Sequence, residues 1–238
     1  MPYLYVRQSV RKYGVAAGLL LFCFGFRAVC AAQQRTFSIP NGSSHYTATI
    51  TVAGCPDNYC RGRGTVQLFD KQTKRLAHTF SSEDLTFFLD PPRHQPTVNV
   101  VQLYNEQSPL IFADFNFDGT EDLAIRNGNN SGYGGPSYDV YVFTSRSRRF
   151  IRSRELTALA TENLGMFQVD KKRQRLITFQ KSGCCWHLTT EFAVVPGQGL
   201  VKMLTEEEDA TTETMVVTTR RRVNGQWTTS VRKHPRQD

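Results

Sequence analysis

The chain has 238 residues, 21% of them charged, with a formal net charge of +8. Four of the basic residues (Arg7, Arg11, Lys12, Arg27) and no acidic ones lie in the first 31 positions, so the remainder carries only about +4. The remaining basic residues are scattered apart from Arg220 to Arg222, and no nucleic-acid module accompanies them, which excludes nucleic acid as the expected partner.

The N-terminal basic residues precede the apolar run "GVAAGLLLFCFGF" and then "RAVCAAQQ". This order describes a secretory signal peptide over residues 1–31, with Val29 and Ala31 at the small-residue positions before the cut. Cleavage after Ala32 fits as well. The run is too short for a comfortable transmembrane helix, so no stable membrane span is expected after its removal. Residues 32–238 are expected to form a single domain.

Removing the leader leaves Cys55, Cys60, Cys184 and Cys185. An even number in an oxidising compartment predicts disulfides. Cys55 and Cys60 bracket "PDNY", a turn-forming stretch, and a small closed loop is the simplest pairing. Cys184 and Cys185 either pair with each other or each reach the other pair. A zinc site using Cys184, Cys185 and His187 lacks the usual ligand spacing.

Strand-like segments dominate the rest: "YTATITVAG", "GTVQLFD", "TVNVVQLYN", "LIFADF", "DVYVFTS", "LITFQ", "TEFAVV", "TMVVTTRRRV" and "WTTSVRK". They are short, β-branched or aromatic, and bounded by turn residues. Only "ELTALATENLG" suits a helical turn or two. "FDKQTKRLAHTF" and "VDKKRQRLITF" share Asp70/Asp170, Arg75/Arg175 and Leu76/Leu176 at equal offsets, each reading as strand, charged turn, strand. "RVNGQW" adds an Asn-Gly hairpin. The predicted fold is all-β, with repeated antiparallel hairpins in a meander; propeller-like blades are one arrangement of them.

In "DFNFDGTED", Asp114, Asn116, Asp118, Thr120 and Asp122 fall at positions 1, 3, 5, 7 and 9, with Gly119 at position 6. This is the EF-hand rhythm, which turns alternate oxygens inward on a hard cation, so Ca2+ is the expected ligand. Thr120 would offer its carbonyl, and Asp122 a carboxylate directly or through water. Ile125 replaces the bidentate Glu at position 12, and the flanks are strands, as in the FG-GAP repeats that this loop resembles. Asp, Asn and Gly also populate turns on conformational grounds alone.

The next stretch, "RNGNNSGYGGPSYDVYVF", is long and aperiodic, a pattern that marks functional or disordered loops. Tyr133 stands between Gly132 and Gly134 with no bulky neighbour. Gly132, Tyr133, Gly134, Gly135 and Tyr138 are therefore the candidate partner-binding residues, because an exposed aromatic gives large contact area at low entropy cost.

Together, "DFNFDGTEDLAIRNGNNSGYGGPSYDVYVF", "ENLGMFQVDKKRQRLITFQKSGCCWH" and "TTRRRVNGQW" resemble the FG-GAP-like periplasmic proteins of Gram-negative bacteria. That family includes the immunity protein of a bacteria-killing type IV secretion system, which inhibits a lysozyme-like peptidoglycan hydrolase. The resemblance implies a periplasmic, calcium-organised β protein whose Gly-rich loop inserts Tyr133 into the cleft of a secreted hydrolase. No enzymatic activity is expected. Glu121, Asp139, Glu155 and Glu191 lack a context that singles out a catalytic pair, and the histidines are isolated. An envelope carbohydrate- or protein-binding module is the alternative, with Trp186 and Trp227 expected in the core.

Overall fold

The computed structural model describes residues 1, 3 and 34–235, so the apolar run and cleavage site of the expected signal peptide lie outside the described residues. The chain first forms β1 (Arg35–Ile39), β2 (Tyr46–Val52), β3 (Tyr59–Cys60), β4 (Gly64–Asp70), β5 (Leu76–Ser82), β6 (Phe87–Asp90) and β7 (Gln95–Pro96). The middle holds β8 (Leu110–Ala113), β9 (Asp122–Arg126), β10 (Tyr138–Thr144), β11 (Arg149–Arg152) and the helix α1 (Arg154–Thr161). Then follow β12 (Gln168–Asp170), β13 (Arg175–Ser182), β14 (Trp186–Val195), β15 (Gly199–Asp209), β16 (Thr214–Val223) and β17 (Gln226–Pro235).

These strands make antiparallel sheets in the orders β1-β2-β4-β5, β3-β6-β7, β11-β10-β9-β8 and β12 through β17. The expected meander of hairpins is the observed fold. Among the described residues, no helix is long and apolar enough to cross a membrane.

Period-2 patterning explains the layers. In β2, "YTATITV" turns Ala48, Ile50 and Val52 inward, where they meet Val66 and Leu68 of β4. A second core gathers Phe115, Tyr138, Val140, Phe167 and Leu176 with Leu156 and Leu159 of α1. Ser153 caps that helix by accepting the Leu156 N–H.

One strand belongs to both cores. All five residues of β9 are buried. Leu123 and Ile125 face the first core and Ala124 the second. Each large side chain contributes roughly 2 kcal/mol by leaving water, so β9 is a stabilising element shared by both cores.

The two echoed segments are equivalent hairpin turns. Asp70 accepts the N–H of Gln72 and of Thr73, and Asp170 accepts that of Arg173. The N–H bonds from Thr73 and Arg173 hold the two carboxyls below their usual value. Lys74 and Gln174 then take the same left-handed conformation, φ 59° and 52°.

Two expectations fail here, and one strand lies outside the predicted ones. "TVNVVQLYN" is no strand; Val98 makes only an isolated parallel bridge to Leu110. Asn99 sits at φ 61° and spends its side chain on the Gly42 carbonyl and the Phe112 N–H, which breaks the ladder. The acidic "GLVKMLTEEED" forms β15, where Glu207 accepts the Trp186 indole N–H, and Glu206 accepts the Thr219 hydroxyl and pairs with Arg232. Trp227, expected in the core, is 48% exposed, since β17 is an edge strand exposed along its length.

Candidate functional site

The cation loop joins β8 to β9, closed by the pair Ala113–Asp122. Its alternate side chains turn inward and take the loop's own N–H groups. Asp114 accepts from Asp118 N at 3.1 Å and Gly119 N at 2.8 Å, and Asp118 accepts from Thr120 N at 2.8 Å. Gly119 sits at φ +86° with nothing within 4 Å of an added Cβ, so conformation and not space requires glycine there.

Asp122 behaves differently. It is fully buried, and its two oxygens accept the N–H groups of Phe115 and Phe143, both at 2.8 Å, tying the start of the loop to β10. Burial pushes its carboxyl up to about 7; the charges of Asp118 and Asp114 add to that, and the two N–H bonds oppose it. Among the described residues no three His, Cys, Asp or Glu side chains converge as a metal group. The loop's five oxygen donors include the Asn116 amide and the Thr120 carbonyl, and as a hard-oxygen set they suit calcium in chemistry.

At the other end of β9 stands Arg126, 3% exposed. Its guanidinium bonds the Glu106 carboxylate, the Gln107 carbonyl at 3.1 Å and the Asn129 amide oxygen at 2.7 Å. Those contacts fasten the base of the Gly-rich loop. Backbone bonds Asn127 N to Ser137 O (2.9 Å) and Ser137 N to Gly128 O (3.0 Å) close it. The loop is thus well fastened despite having no periodicity. A single buried strand carries the candidate cation loop on one end and the Gly-rich loop on the other.

The tip is a 3₁₀ turn, Gly132–Gly134, with Ser131 and Gly132 carbonyls accepting from Gly134 N and Gly135 N, each at 3.1 Å. Gly132 lies tight against its neighbour: its N–H bonds the Asn163 carbonyl at 2.8 Å, and an added Cβ would come within 3.2 Å of that oxygen. Tyr133 takes φ 57°, ψ 29°, the left-handed region that costs a bulky L-residue roughly 1–2 kcal/mol. The residue is 66% exposed. The hydroxyl accepts the Gly183 N–H at 2.7 Å, and the Lys181 ammonium lies 4.6 Å from the ring centre.

Tyr138 corrects the expectation placed on it. It is fully buried in β10 and donates its hydroxyl to the Ser108 carbonyl at 2.9 Å; burial raises its phenol well above the usual value. The alternation Tyr138, Val140 marks both as inward-facing, so no partner reaches it.

Cys55 pairs with Cys60, and Cys184 with Cys185. The vicinal pair occupies the β13–β14 turn beside Gly183, and so borders the donor that holds Tyr133. Its sulfurs are bonded to each other, which removes the thiolates that zinc would need.

Sequence reasoning missed Tyr104 and Lys181. Tyr104 is 61% exposed, its ring centre 5.0 Å from the Lys181 ammonium, and both residues line a groove of about 430 Å³ with Tyr133. The shared left-handed φ of Tyr104 (64°) was invisible in the sequence.

No protein family matches the sequence, and no curated protein does. Among solved structures, the chain is similar to the "Structure of a Xanthomonas Type IV Secretion System related protein", with a TM-score of 0.62. The two share 19% sequence identity over 84% of this chain and 95% of that one. At that identity the likeness is one of fold.

Proposed function

We propose that the exported chain is a non-enzymatic, calcium-organised inhibitor of a secreted lysozyme-like peptidoglycan hydrolase, associated with a type IV secretion system and acting in the periplasm. The observation that carries this reading is Tyr133: exposed, in a left-handed conformation, and fixed by the Gly183 N–H. A surface aromatic held this firmly suits insertion into a cleft, because little entropy remains to be lost on binding. The fold shared with a Xanthomonas protein described as type IV secretion system related supports the association.

A non-catalytic role has its own support. Asp139 is paired with Arg152, Glu191 with Arg173, and Glu121 is bonded by Ser43 and Ser44. The carboxylates available for a glycosidase pair are therefore mostly committed to structure. The test is a peptidoglycan lysis assay with the mature chain and a lysozyme-like hydrolase secreted by the same organism's type IV system. The chain alone should give no lysis and should suppress lysis by the hydrolase. Lysis by the chain alone, or undiminished lysis in its presence, refutes the reading. Glycan binding without inhibition would favour the envelope-module alternative, for which the exposed Trp227 ring beside Lys202 and Arg220 is the relevant surface.

Calcium would be held by Asp114, Asn116, Asp118, the Thr120 carbonyl and Asp122. Bound there, the cation supplies charge that offsets the mutual repulsion of three carboxylates in one turn. Added calcium should therefore raise the melting temperature, and a chelator should lower it. Asp118→Ala should abolish that response and leave a folded β protein. Calorimetry that detects no binding at micromolar to millimolar calcium removes the metal from this proposal.

A further inference from the structure

The groove beside Tyr133 draws on segments far apart in the chain. Tyr104 comes from the irregular strap before β8, Tyr133 from the Gly-rich loop, and Lys181 from the end of β13. The Lys181 ammonium lies between the two rings, 5.0 Å from the centre of Tyr104 and 4.6 Å from that of Tyr133. Both rings are more than half exposed. Among the described residues, Lys181 has no carboxylate within ion-pair distance; Glu106, on the same groove, is committed to Arg126.

A cation between two aromatic faces is pre-positioned by their quadrupoles but not neutralised by them. Its N–H donors have no hydrogen-bond acceptor among the described residues. An incoming carboxylate therefore gains a charge-assisted bond to a donor that is already held in place. A glycosidase cleft offers such a group, because its chemistry requires two carboxyl groups flanking the scissile bond.

We infer that Tyr104, Lys181 and Tyr133 act as one anchor, whose central ammonium takes a carboxylate of an acidic partner cleft while the two rings line its walls. The inference rests on the inhibitor reading and extends it from one residue to three. The anchor gives affinity through the rings and selects acidic clefts through the charge.

The test measures affinity for the hydrolase, by calorimetry at low and high salt, for the mature chain and for Tyr104→Ala, Lys181→Met and Lys181→Arg. Each of the first two should weaken binding roughly tenfold, the effect of removing a moderately strong interface residue. Lys181→Met should also flatten the salt dependence, and Lys181→Arg should keep both affinity and salt dependence near those of the parent. Melting temperatures should stay close to the parent, since both side chains sit at the surface. Parent-like affinity and salt dependence in Tyr104→Ala and Lys181→Met, with binding lost in Tyr133→Ala, would leave Tyr133 as a lone plug and overturn the inference alone. A parent chain that fails to bind the hydrolase overturns the inhibitor reading, and this extension with it.

Discussion

Tyr133→Ala is expected to weaken binding to the hydrolase by about 2 kcal/mol or more, roughly thirtyfold, and to relieve inhibition in proportion. The effect is large because a central aromatic gives up both its contact area and its hydroxyl. In the free protein the same change removes little. The residue is 66% exposed, and what is lost is one hydrogen bond from Gly183 and one cation–π contact with Lys181. Alanine is no better suited than tyrosine to φ 57°, so backbone strain does not change the comparison. The melting temperature should therefore barely move. Tyr133→Phe divides the loss: near-parent inhibition assigns the affinity to packing, and a large loss assigns it to the hydroxyl, directly or through the Gly183 bond that positions the ring. A large fall in melting temperature with inhibition intact would make Tyr133 a structural residue and remove it from the interface.

Arg126→Met should have the largest effect on stability, about 2–3 kcal/mol. Methionine fills much of the volume but leaves the Gln107 carbonyl and the Asn129 amide oxygen without their donor, and Glu106 without its cation. Glu106 is 39% exposed and can turn to water, which keeps the cost below that of a wholly buried pair. For a chain of this size the loss corresponds to a drop of roughly 5–10 °C in melting temperature. Arg126→Lys should fall between the two, since a single ammonium cannot serve three acceptors with the geometry of a planar fork. Inhibition should suffer in both variants, because the guanidinium fastens the base of the loop that carries Tyr133. An unchanged melting temperature in Arg126→Met would show that the backbone bonds at Asn127 and Ser137 close the loop unaided.

The sheets were largely legible because alternation is a local signal. "YTATITV" and "GTVQLFD" declare which side faces inward, and the turns around Asp70 and Asp170 are written in residues that bond their own backbone. Errors arose where a nonlocal partner decided the outcome. "TVNVVQLYN" has strand composition, yet Asn99 is claimed by Gly42 and Phe112, which no nearby residue reveals. β15, which no prediction covered, has poor strand composition, yet Trp186 of β14 and Thr219 of β16 bond Glu207 and Glu206. The site divides in the same way. The exposed setting of Tyr133 follows from its glycine neighbours, and the oxygen-rich rhythm of the cation loop from its spacing. Lys181 and Tyr104 become neighbours of Tyr133 only through the fold. Tyr138 was readable and was misassigned, since its alternation with Val140 already placed it inward.

For the proposed exported inhibitor, the bond between Cys184 and Cys185 ties competence to an oxidising compartment. It closes the turn next to Gly183, whose N–H is the fixed point for the Tyr133 hydroxyl. In a reducing cytosol both cysteines stay as thiols, and that turn lacks its covalent brace. Under the proposed export, a chain still in the cytosol would therefore hold Tyr133 against a turn without that covalent closure. On the proposed reading, oxidation after export closes the turn that positions the tyrosine. Readiness would in this way be tied to arrival, and a copy kept at its place of synthesis would lack the closed turn.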